Sequence, residues 1–183
     1  LALDYVECTP SESYTLDVYP LKFVEYVAAH ENNGFAIALA HVESVIAEIF
    51  WLPDSAPFTP AADLTPEQLT QLRFLPRKAS KLIHLDYFVE DYIIAARSGE
   101  IIKSGAIKSN YVFIVRHNNE VKRHIIEESE QIILSRLLEN IPVGNVLDEV
   151  IENHPDIAPQ IENNLQFWFA RWIQNGFFTV DDC

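Results

Sequence analysis

Two β-rich runs, residues 111–117 and 120–127, are separated only by Asn118-Asn119. Asparagine tolerates the positive φ that both central positions of a type I′ turn require, so the segment predicts a two-residue hairpin. Such a turn fixes the strand register, with His117 opposite Glu120 and Phe113 opposite His124. Three helical stretches follow. Residues 128–140 carry Ile132, Ile133, Arg136 and Leu137 along one side, and Glu127 or Glu128 is a better cap than Ser129. Residues 142–154 repeat Val143, Val146, Leu147 and Val150 at helical spacing until Pro155-Asp156 breaks them. Residues 158–175 gather Ile161, Leu165, Trp168 and Trp172 on one face, with Phe169 and Ile173 beside it, and Gly176 at C′ stops the helix. Phe177-Phe178-Thr179-Val180 reads as a short strand or tail. Hairpin, three helices and an aromatic strand suit a winged-helix-like recognition domain over residues 110–183.

Residues 1–109 are expected to form a second, helical domain, shortened at its N-terminus and joined by a linker at 98–109. A short helix is expected at 21–29, with His30-Glu31-Asn32-Asn33-Gly34 as its stop. Residues 35–50 are the clearest helix of this half, since Ala38, His41, Val42, Val45, Ile46 and Ile49 make one apolar face. Four prolines, Pro53, Pro57, Pro60 and Pro66, mark the stretch that follows. Thr65-Pro66-Glu67-Gln68 has the signature of a capping box with proline at the first helical position. Residues 81–88 are ambiguous between strand and buried segment, and 89–98 read as another helix. The fold class expected is α+β, mostly α.

Charge bears on partners. The chain of 183 residues has a net charge of −14. From residue 110 onward five basic residues face twelve acidic ones. Nucleic-acid binding draws most of its affinity from Lys and Arg neutralising phosphates. The one candidate basic stripe is Arg116, Lys122 and Arg123 on the hairpin, which are the DNA contacts a regulator would use. No run of 18 apolar residues and no signal-peptide pattern is present, so no membrane association is expected and the cytoplasm is the default location. Cys8 and Cys183 do not make a disulfide framework, and Cys8 is expected to be a buried or indifferent thiol.

Little in the chain points to catalysis. None of the six histidines makes an H-E-x-x-H pair or lies near a cysteine at zinc-ligand spacing. His41 sits on an apolar helix face, where a core histidine is the simpler reading. The chain holds no phosphate-binding glycine loop and no G-x-S-x-G. No catalytic residue, no metal and no cofactor is therefore expected. Glu43 shares a stripe with Ala36, Ala40, Ala47 and Phe50, so it is either a structural carboxylate or a partly exposed helix-edge residue. Glu127, Glu128 and Glu130 are expected on the solvated surface. Phe167 falls off the apolar face of the last helix, near Asn164 and Arg171. It is either a partner contact or packs against the first domain, and the packing reading is favoured.

Residues 9–17 (TPSESYTLD), Tyr19-Pro20 and Phe23-Val24-Glu25-Tyr26-Val27 resemble the HvfC/BufC family of bacterial proteins. Ala40-His41-Val42-Glu43 is similar to the alanine-x-x-glutamate helix of that family. Residues 111–116 and the helices ending at Trp172-Ile173-Gln174-Asn175-Gly176-Phe177-Phe178 are similar to its C-terminal part. Members begin with further helical residues assigned as a DNA-binding domain, and the resemblance together with the start at Leu1 leads to the expectation that most of that segment is absent here. The resemblance implies a partner of a multinuclear non-haem iron oxidase that modifies cysteines in ribosomally made precursor peptides. It also implies a C-terminal domain like the peptide-binding winged helix of the PqqD type. The iron would belong to the oxidase. The leading expectation is thus a non-catalytic protein that binds the precursor peptide and presents it to the oxidase subunit. The peptide would add as a strand in a groove between the hairpin and the last helix, touching Tyr111, Phe113, Val115, Asn164, Phe167 and Arg171. The alternative is a two-domain DNA-binding transcriptional regulator.

Overall fold

The computed structural model describes residues 2–9, 22–60, 65–101 and 105–179. Residues 10–21, most of Lys103-Ser104-Gly105, Val180 and Cys183 lie outside the described residues, and with them part of the segment that carries the resemblance. The architecture is mixed, with helix predominating over small antiparallel sheets, as the α+β reading expects.

The first helices are α1 (Ala2–Cys8), α2 (Phe23–His30) and α3 (Gly34–Trp51). Asn33 caps α3 by accepting from the Phe35 and Ala36 amides, so Gly34, expected within a stop signal, instead opens the next helix. The short α4 (Pro66–Gln71) starts on the expected capping box, with Thr65 and Gln68 each accepting from the other's backbone amide. After β1 (Leu75–Pro76), the ambiguous segment resolves as strand β2 (Ser80–Phe88), and α5 (Glu90–Ser98) follows. Strand β3 (Ala106–His117) and β4 (Glu120–Ile126) form the expected hairpin. Asn118 and Asn119 take φ of 53° and 62°, and His117 faces Glu120 while Phe113 faces His124. The remaining elements are α6 (Glu128–Leu137), α7 (Val143–Asn153), α8 (Ala158–Gln174) and β5 (Phe178–Thr179).

The sheet order is β2-β3-β4, antiparallel throughout. Residues 106–109, expected as linker, are strand paired with β2, and the expected boundary at 109/110 falls inside β3. Strand β3 is longer than expected because β2 needs a partner. Without it, a buried strand would leave its amides and carbonyls unpaired.

Period-2 alternation along β3 sends its side chains to two apolar clusters. Phe113 and Val115 join α6, α7, α8 and Phe177–Phe178 on one face. Val112 and Ile114 join α3, α5 and the inward residues of β2 on the other. α3 has the length and composition of a membrane-spanning helix. In this fold its Phe35, Ala38, Val42, Val45 and Ile49 are buried against the sheet.

The C-terminus of α8 is closed by a Schellman motif. Phe177 N donates to Trp172 O at 2.9 Å and Gly176 N to Ile173 O at 3.1 Å. Gly176 supplies the left-handed residue the motif needs, with φ of 65°. The reversal delivers Phe177 and Phe178 into the core. There Phe177 stacks on Phe113 at 4.2 Å and Phe178 on Phe74 at 4.1 Å. Strand β5 then pairs with β1, and Phe58 N donates to Phe178 O at 3.0 Å. The proline-rich stretch is thereby fixed against the end of the chain.

Candidate functional site

An apolar groove of about 410 Å³ lies between α4, α7 and α8. Its walls follow from helix periodicity. On α8, Ile161, Trp168 and Trp172 point into the core, which leaves Leu165, Phe169 and Ile173, a stripe at four-residue steps, facing the groove. Val143 and Leu147, also four apart, form the α7 wall. Leu69, Thr70 and Leu72 come from α4 and its end, and Phe58 and Pro60 from the proline-rich stretch. Phe74, fully buried, is the floor, in contact with Phe58, Phe169 and Phe178.

Two contacts hold α4 to α7. Val143 N donates to Leu72 O at 2.9 Å. Gly144 lies so close to α4 that a Cβ there would come within 3.0 Å of Thr70. None of the lining residues is ionisable. Among the described residues the groove therefore offers no ionisable side chain to act as general acid or base. It can offer dispersion contact and removal of apolar surface from water.

The residues expected to bind a peptide do not come together. Phe113 and Val115 are fully buried, and Tyr111 is half-buried beside His84. Strand β3 is central, with both its edges already paired, so no peptide can add to it as a strand. The space expected as a groove between the hairpin and α8 is filled by the core. Asn164 binds its own helix, donating to Gln160 O at 2.9 Å. Phe167 is 63% exposed, so the packing reading favoured from sequence does not hold. Arg171 lies over its ring. Glu43 is exposed and acts as the helix-edge residue of the two readings, while Cys8 is exposed rather than buried.

The expected DNA contacts are engaged within the fold. Arg123 makes two hydrogen bonds to Glu90, both at 2.9 Å, and its side chain is 8% exposed. Arg116 donates to the Phe50 carbonyl, and Lys122 pairs with Glu120 at 3.6 Å. Among the described residues, no three His, Cys, Asp or Glu side chains form a metal-binding group.

Sequence reasoning misplaced one carboxylate. Glu130, expected on the surface, is fully buried. Trp172 Nε1 donates to its Oε1 at 2.6 Å, and Arg171 donates to the same oxygen. Its other oxygen accepts from Glu127 N at 3.4 Å, completing a capping box at the start of α6. The signal was the i,i+3 spacing of Glu127 and Glu130 at a helix start.

His124 faces Phe177, and burial together with Arg171 and Lys122 lowers its pKa to about 4. His41 and His117 are lowered too, first by burial. The folded state thus resists protonation that the unfolded chain accepts below pH about 6.5. Stability is fully present above that value and falls as pH drops towards 4. The variant His124→Phe is expected to unfold with a shallower pH dependence between about 6.5 and 4, measured by urea titration across that window.

The fold and the groove define a small α+β protein with an apolar groove on its helical side. No protein-family model matches the chain, and no curated protein matches it significantly.

Proposed function

We propose that this chain is a non-catalytic recognition protein that grips a peptide segment in the groove between α4, α7 and α8. The observation that carries the reading is the lining itself: an apolar cleft of about 410 Å³ with no ionisable side chain among the described residues. Apolar clefts of this size bind through buried side-chain anchors. The resemblance to the HvfC/BufC family supports a ribosomally made precursor peptide as ligand and a multinuclear iron oxidase as second partner. The contact surface differs from the one the sequence suggested, since the peptide meets helices rather than a strand edge.

The test is binding of the precursor peptide and the oxidase by the purified chain. Leu147→Asp places a charge in the α7 wall, and it is expected to weaken peptide binding about tenfold or more while leaving the circular dichroism spectrum unchanged. Unaltered affinity in this variant would remove the groove from the reading. Failure to bind either partner at micromolar concentration would remove the reading itself.

No observation favours the DNA-binding regulator. Of its three candidate cations, Arg123 and Arg116 are held by Glu90 and the Phe50 carbonyl, Lys122 makes an exposed pair with Glu120, and the net charge is −14.

A further inference from the structure

We infer that the segment the groove accepts is cationic, with Lys or Arg residues flanking its apolar anchors. The inference rests on the groove as the peptide site and adds the chemistry of the peptide. The three helices that wall the groove carry Glu67, Asp148, Glu149, Glu152 and Glu162. Against these they carry one cation, Arg171, and it is bound to the buried Glu130. Glu149 is paired with Arg136 from α6. The other four acidic residues are exposed.

Helix geometry places two of them, Glu162 and Asp148, beside the apolar walls. Glu162 precedes Leu165 and Gln166 by three and four residues, so it continues the α8 stripe past the end of the groove. Asp148 is one turn beyond Gly144, the residue pressed against Thr70, and so lies on the α4 side of α7. Glu67 is in the first turn of α4. Arg73, the nearby cation of the connecting segment, donates to Asn140 O at 2.6 Å.

Leu69 at 47% exposure and Ile151 at 41% extend the apolar surface at the rim. An amphipathic segment with basic flanks would cover this apolar surface and meet the acidic rim. Charges of opposite sign across such a rim steer association and select partners. A second copy of this chain is disfavoured as occupant, because each copy would bring the same acidic face and a net charge of −14.

Two synthetic peptides test this. Both carry the same helical core, with Leu and Phe at i, i+4 and i+7, and they differ only in Lys or Glu flanks. The Lys-flanked peptide is expected to bind at least about tenfold tighter at low salt, with the gap closing as salt rises. In a variant carrying Glu67→Gln, Asp148→Asn, Glu152→Gln and Glu162→Gln, the two peptides are expected to bind alike. Equal binding to the unaltered chain would overturn the charge inference and leave the groove standing. If neither peptide binds, the groove reading fails as well. Concentration-dependent dimerisation lost in Leu147→Asp would overturn the inference in favour of a second copy.

Discussion

Glu130→Ala is expected to destabilise the protein by about 3–5 kcal/mol, the range for removing one partner of a buried charged pair. The carboxylate is fully buried and ties α6 to α8 through Arg171 and the indole of Trp172. Its loss leaves the Trp172 N–H without its acceptor in the core and the Arg171 charge without its counter-ion. It also opens a cavity and removes one half of the α6 capping box. Glu130→Gln keeps an acceptor for the indole and is expected to cost less, about 1–3 kcal/mol. Combining Glu130→Leu with Arg171→Leu is expected to cost less than the two single changes added together, because neither charge then lacks its partner. Urea unfolding of the five variants measures this. Additive costs would mean that the two side chains act independently of each other.

Gly176→Val is expected to cost about 3 kcal/mol or more, from two sources. A β-branched residue at φ of 65° carries roughly 1–2 kcal/mol of backbone strain. A Cβ at this position would also lie 2.5 Å from His117 Nδ1 and 2.8 Å from Arg77 Nη1. Those atoms have little room to give. Arg77 is 3% exposed, donates to His117 Nδ1 at 3.1 Å, and is held by Asp54. Gly176→Ala carries less strain and meets the same obstruction. Adding His117→Ala opens the space, so the double variant is expected to be at least about 1 kcal/mol more stable than the sum of the single changes predicts. Strict additivity would show that conformation at residue 176, and not the packing of Arg77 and His117, sets the cost.

Several local features were legible in the sequence because their signals fitted within one turn of chain. The Asn118-Asn119 turn, its register, the Thr65 capping box and the Gly176 stop each depend on contacts a few residues apart. Strand β2 was not resolved by pattern, because it has a partner in β3 some 25 residues onward and a bulge between Leu85 and Tyr87 that interrupts its alternation. The groove was missed for a related reason. Leu165, Phe169 and Ile173 were visible as apolar neighbours of the core face, yet their exposure depends on where α4 comes to rest. Glu130 shows the same limit in reverse, since three acidic residues at a helix start read as solvated until Trp172, 42 residues away, supplies a buried donor.

Strand β3 stands between the two apolar clusters and contributes alternate side chains to each. Neither cluster can come apart without exposing residues next in sequence to those that hold the other. Heat or urea should therefore meet a single cooperative transition, despite a sequence that reads as two successive parts. The amides of Val112, Phe113, Ile114 and Val115 should exchange with deuterium only through global opening, while those of α1 and α4 at the periphery exchange through local fraying.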